Sequence, residues 1–121
     1  MLKIRQDQLD ALSQQMSKKF EQRMVDYLRQ TYPQRVKKAS EERLYQIVKL
    51  GIEKAQSYGV EYEDDIRRYI DYMVVYGARM DSKSQTAWIG QILRDTDLDG
   101  AEKMDLLDQH EIKSLQGSKT P

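Results

Sequence analysis

Apolar residues return every three or four positions through most of the chain, and no segment alternates as a strand does. Leu9, Leu12, Met16, Phe20, Met24 and Leu28 form one narrow stripe at helical spacing, which predicts a long first helix. Tyr32–Pro33 ends it, because the residue before proline is pushed out of the helical region. The heptads are too few for a coiled-coil arm, so this helix is expected to lie across the others. A second helix starts at Ser40 as N-cap, with Glu41 and Glu42 complementing the helix dipole. Its apolar face is Leu44, Ile47, Val48, Gly51, Ile52 and Ala55, and Gly59 stops it.

The third helix follows the acidic entry "EYEDD". Ile66, Tyr69, Ile70, Tyr72, Met73, Val74, Tyr76, Gly77 and Met80 sweep about 200° of its circumference, which predicts contact on two sides and a central position. Glycine inside a helix costs about 1 kcal/mol, so Gly51 and Gly77 point to close approach of another backbone. A shorter helix is expected from Ser84 to Arg94, with Trp88 as a core plug, and a short terminal helix carries Met104 and Leu107. The tail "EIKSLQGSKTP" has too little apolar content to order itself. The expected fold is all-α, a compact bundle of four to five helices with a long N-terminal helix. Residues 1–108 would be one helical domain and 109–121 a flexible C-terminal tail.

Length and composition agree with one modest domain, and no apolar run approaches the length of a membrane span. Without cysteine there is no disulfide, thiolate nucleophile or cysteine-based zinc site. No secretory signal is visible at the N-terminus, and a cytoplasmic setting is expected. Formal net charge is zero but unevenly spread. Residues 1–60 hold 12 Lys and Arg against 7 Asp and Glu, and residues 61–121 hold 8 against 13. The basic excess gathers in "RQTYPQRVKK", with Arg35, Lys37 and Lys38. A nucleic-acid reader would carry a stronger basic stripe with aromatics or glycines between, so opposed charge pools fit a protein partner better. The tyrosine flank Tyr69, Tyr72 and Tyr76 is a second candidate contact, since tyrosine is favoured at interfaces; otherwise it rims the core with its hydroxyls in water.

One motif suggests chemistry. In "RDTDLDGAEKMDLLD", Asp95, Asp97 and Asp99 alternate ahead of Gly100 as in the opening half of an EF-hand. Position 12 of that loop would be Leu106 rather than the bidentate glutamate that closes the coordination sphere. Asp99 and Glu102 instead match a capping box, so the three aspartates are at most a weak cation site and no cofactor is expected. His110, the single histidine, falls beside the expected tail, where nothing would orient it as a general base. Asp64 and Asp65 point to different sides of a helix and read as dipole partners. No phosphate-cradling glycine loop occurs. This inventory does not suggest an enzyme.

Three stretches together carry a resemblance: "IRQDQLDALSQQMSKKFEQRMVDYLRQTYP", "LGIEKAQSYGVEYEDDIRRYIDYMVVYGARMD", and the tryptophan before "ILRD" with the terminal "GAEKMDLL". The chain resembles small helical proteins encoded in bacterial type VI secretion clusters, beside spike and effector genes. The likeness runs from about Ile4 to Leu107, and its most specific part is "GIEKAQSYG…RYIDYM…YG". Tyr62 departs from it, standing where a small hydroxyl cap is expected. The resemblance implies a partner protein, a secreted effector or toxin encoded nearby. The chain would then be an adaptor, chaperone or accessory protein for the effector, or an immunity protein that blocks a toxin. A self-associating regulator, including a homodimer, is the remaining expectation, and the long first helix suggests it.

Overall fold

The computed structural model describes residues 6–118, with side chains described for residues 18–113. Six α-helices and one short 3-10 turn account for most of these residues, and no strand occurs among them. The fold is all-α, as the apolar spacing predicts. The chain divides into two compact units between Lys49 and Leu50, within a continuous helix.

The first unit holds α1 (Gln6–Thr31), the four-residue α2 (Pro33–Val36) and the first part of α3 (Glu41–Ser57). Phe20, Met24 and Leu28 of the predicted stripe are buried, together with Val25, Val36, Leu44 and Val48. The side chains of Leu9, Leu12 and Met16 lie outside those described. Tyr32 and Pro33 do end α1, but proline at the first position then starts α2, a turn not foreseen in the pattern. The Ser40 hydroxyl accepts the Arg43 N–H at 3.1 Å and caps α3 as expected. The Tyr45 hydroxyl of α3 donates to Gln22 Oε1 of α1.

The second unit continues α3 from Leu50 and adds α4 (Glu63–Tyr76), a 3-10 turn (Ser84–Thr86), α5 (Ala87–Leu93) and α6 (Gly100–Ser118). α4 is its core helix, with Ile66, Tyr69, Ile70, Tyr72 and Met73 buried. Val60, Met80, Ile89, Leu93, Met104 and Leu107 complete the apolar interior.

Three expectations change here. The third helix was expected to reach Met80, yet α4 stops at Tyr76, because Gly77 adopts φ +99° and its N–H closes on Met73 O at 2.8 Å. Gly77 therefore ends a helix and does not sit inside one. Gly51 does mark a close approach, but to a side chain: a Cβ there would come within 2.6 Å of Ile70 Cγ1. Backbone against backbone occurs instead at Gly100, where a Cβ would stand 2.7 Å from Val60 Cα and nearer still to the Gly59 carbonyl. Finally, residues 109–118, read from composition as a tail, continue α6. Within it Glu111 accepts from Tyr76 of α4 and His110 stacks on Trp88 of α5.

The start of α6 thus depends on a residue with no side chain. Gly100→Ala should destabilise the protein by about 1–3 kcal/mol, since the obstructing atoms are main chain and cannot rotate away. Thermal denaturation followed by circular dichroism would measure the loss.

Candidate functional site

In the first unit, α1 ends with basic Arg29, α2 carries Arg35, and Lys37 and Lys38 follow in the turn before α3. Pro33 pre-sets the backbone for this turn, and buried Val36 pins it from beneath, with Ala39 N–H donating to Val36 O at 3.0 Å. Arg35, Lys37 and Lys38 are all exposed, and none forms an ion pair with a described residue. The three cations therefore lie together on an exposed turn of this unit.

The tyrosine flank lies elsewhere and does something different. Tyr69 is fully buried and Tyr72 is 5% exposed, which removes both as free contact residues, and Tyr76 is half-buried. Their hydroxyls are not in water either. Tyr72 donates to Asp108 Oδ1 at 2.7 Å and Tyr76 to Glu111 Oε2 at 2.5 Å, both on α6. Burial, then the bond to Glu111, pushes the Tyr76 phenol up to about 12. Tyr72 is raised by burial and by Asp108. Tyr69 is raised by burial and by nearby Asp81, and its hydroxyl has no hydrogen-bond partner among the described residues.

Beside the tyrosines, Arg68 is shared by three carboxylates. Nη2 reaches Asp65 Oδ1 at 2.6 Å, and Nη1 reaches Asp105 Oδ1 at 2.8 Å and Asp108 Oδ2 at 2.9 Å. Burial works against this charge, but the three carboxylates hold the guanidinium firmly protonated. Asp65 thus has a specific partner beyond the helix dipole. Trp88, expected as a core plug, is only half-buried and stacks on His110, centroids 4.8 Å apart and planes 10° apart. The histidine, expected without a shell, is oriented by that ring.

A third cluster surrounds Asp81, a nearly buried carboxylate. It accepts from the Tyr58 hydroxyl at 2.6 Å and from Lys54 Nζ at 3.2 Å, while its main-chain oxygen accepts from Arg94 Nη1 at 2.7 Å. Burial disfavours its charge, yet Tyr58 and Lys54 hold the carboxyl below the usual range. Burial and the bond to Asp81 push Tyr58 up to about 12. Next to this cluster lies an open cleft of about 600 Å³, lined by Tyr58, Leu93, Arg94, Asp99 and Lys103 among others. The Lys103 ammonium is spent on the Tyr58 carbonyl at 2.7 Å.

The acidic loop resolves into punctuation. Glu102 N–H donates to Asp99 Oδ1 at 2.8 Å and Asp99 N–H to Glu102 Oε1 at 3.0 Å, the reciprocal bonds of a capping box. Asp95 Oδ1 accepts the Asp97 N–H at 2.9 Å and tightens the turn. Among the described residues, no three histidine or acidic side chains gather as a metal site requires. No described helix is long and apolar enough to cross a membrane. Comparison with protein-family models, with curated proteins and with solved structures returns no match.

The residues that sequence reasoning missed are Arg68, Asp105, Asp108 and the Trp88–His110 pair. Asp65 with Arg68, and Asp105 with Asp108, each sit three apart, a spacing that puts both members on one helix face. What could not be seen was that the two faces meet.

These contacts separate two superficially alike substitutions. Tyr72→Phe should cost about 1 kcal/mol, because Asp108 loses a donor, whereas Tyr69→Phe removes an unmatched buried hydroxyl and should be neutral or stabilising. Chemical denaturation of both variants tests this, and equal losses would contradict it. Alkali should act through the same groups. A tyrosine whose proton is held more tightly in the folded state contributes stability below the ordinary value of 10 and loses it as pH rises toward 12. Stability should therefore fall between pH 10 and about 12, while the phenolate absorbance of Tyr58 and Tyr76 in the folded chain should rise well above pH 10, centred near 12.

Proposed function

We propose that this chain is a non-catalytic protein-binding module, an adaptor or accessory protein for a type VI secretion effector, and that it meets an acidic partner surface at Arg35, Lys37 and Lys38. The observation that carries the reading is the cationic turn itself. Three like charges within four residues repel one another, yet they are held exposed on a turn anchored by Pro33 and buried Val36. Such an arrangement has a cost in isolation and a use when an opposite surface approaches. The ionisable side chains of the second unit point the same way. Arg68, Asp65, Asp81, Lys54 and Lys103 are engaged in holding helices together, which argues for a structural duty in each case. The likeness to proteins of type VI secretion clusters supplies the partner's class.

The test is binding to purified products of neighbouring spike and effector genes, measured by biolayer interferometry at several ionic strengths. Replacing Arg35, Lys37 and Lys38 together by glutamate should weaken binding by at least about tenfold, mainly through slower association, and should flatten the salt dependence. Unchanged affinity, or affinity indifferent to salt in the native chain, would remove the turn from the interface.

A further inference from the structure

α6 changes character along its length. From Gly100 to Leu107 it is anchored, with Gly100, Lys103, Met104 and Leu107 buried. From Asp108 to Lys113 no side chain is buried, and Ile112 is 54% exposed. This second half is attached through polar and ring contacts: Asp108 to Tyr72 and Arg68, Glu111 to Tyr76, His110 on Trp88. The surface beneath is aromatic and continuous. Tyr72 and Tyr76 stack with centroids 5.8 Å apart, and Trp88 meets them edge-on at 6.5 Å and 5.8 Å. A strip of three rings is thus covered by a helical segment that puts no buried apolar anchor into it.

That mismatch has a physical consequence. Large rigid rings are the side chains that dominate protein interfaces. Segments with few buried apolar contacts and solvent-accessible hydrogen bonds are those that open locally while the rest of a domain stays folded. We propose that Asp108–Lys113 of α6 is a displaceable strap over an aromatic docking strip formed by Arg68, Tyr72, Tyr76 and Trp88, and that the strip receives a partner helix carrying two carboxylates three residues apart. The strap's own chemistry defines the occupant. Asp108 and Glu111, at that spacing, satisfy the hydroxyls of Tyr72 and Tyr76 one helical turn apart on α4, and Asp108 also meets the Arg68 guanidinium. A foreign helix with the same pair would make the strap's polar contacts, and an apolar residue in place of His110 would add burial against the rings that the strap lacks. The strip uses other residues than the cationic turn and stands without it.

Hydrogen–deuterium exchange on the unaltered chain is the first arm. Amides of 108–113 should exchange at least about tenfold faster than those of 101–107. Equal protection across α6 would overturn the proposal, because the segment would then be an integral part of the fold. The second arm uses the full chain carrying Asp108→Asn and Glu111→Gln. Its emission from Trp88, the only tryptophan, should shift to the red, and a synthetic peptide of residues 104–118 should reverse the shift saturably. The same peptide with both carboxylates replaced by alanine should not. A peptide without effect on Trp88 would sink the docking strip. A variant that runs as a dimer in light scattering, and that the peptide converts to monomer, would assign the strip to α6 of a second copy and overturn the foreign helix.

Discussion

The position of α6 in the second unit depends on one guanidinium. Arg68 joins Asp65 on its own helix to Asp105 and Asp108 on α6, and it does so at 22% side-chain exposure, where charge is no longer well solvated. The nearly buried Asp65 would be costly without this partner. Arg68 itself is half-buried, and its other terminal nitrogen is shared by the two more exposed α6 carboxylates. The apolar interior alone, Met104 and Leu107 against α4 and its neighbours, would allow α6 to rotate or slide. The ion cluster selects one register, and the two tyrosine hydroxyls then follow along the same line.

The same logic recurs around Asp81. A carboxylate drawn inside is met by a phenol, an ammonium and, at its main chain, a guanidinium. These contacts gather α3, the loop after α4 and the end of α5, segments whose hydrophobic faces do not by themselves specify how loops close. Both clusters take charged groups out of circulation. The first unit also displays an exposed positive turn, and the second holds a row of rings beneath the end of α6. Glycine works in the opposite sense. Where two main chains must touch, at Gly59, Val60 and Gly100, the side chain is simply omitted.

Much of this was legible in the residues, and the failures are instructive. Helix positions followed from three-and-four spacing, Ser40 and Asp99 announced their caps, and the EF-hand likeness dissolved once Leu106 was read at its twelfth position. Gly77 misled because a glycine flanked by apolar residues reads equally as the inside of a helix or its end, and only its φ of +99° distinguishes them. The tyrosines misled because an amphipathic side chain on a helix flank looks the same whether water or another helix lies opposite. His110 and the residues after it misled because composition reports what a segment can bury, not what a neighbour offers it.

The sequence by itself determined most of the elements: where the longer helices start and which side of each is apolar. These depend on contacts within four residues, which a single chain displays directly. Tertiary structure alone decided the use of the polar side chains. Whether Arg68, Tyr72, Asp108 or His110 meets water, a partner or its own chain depends on which residues 20 to 40 positions away come within about 3 Å, and hydrogen bonding at that range is set by the packing of whole helices.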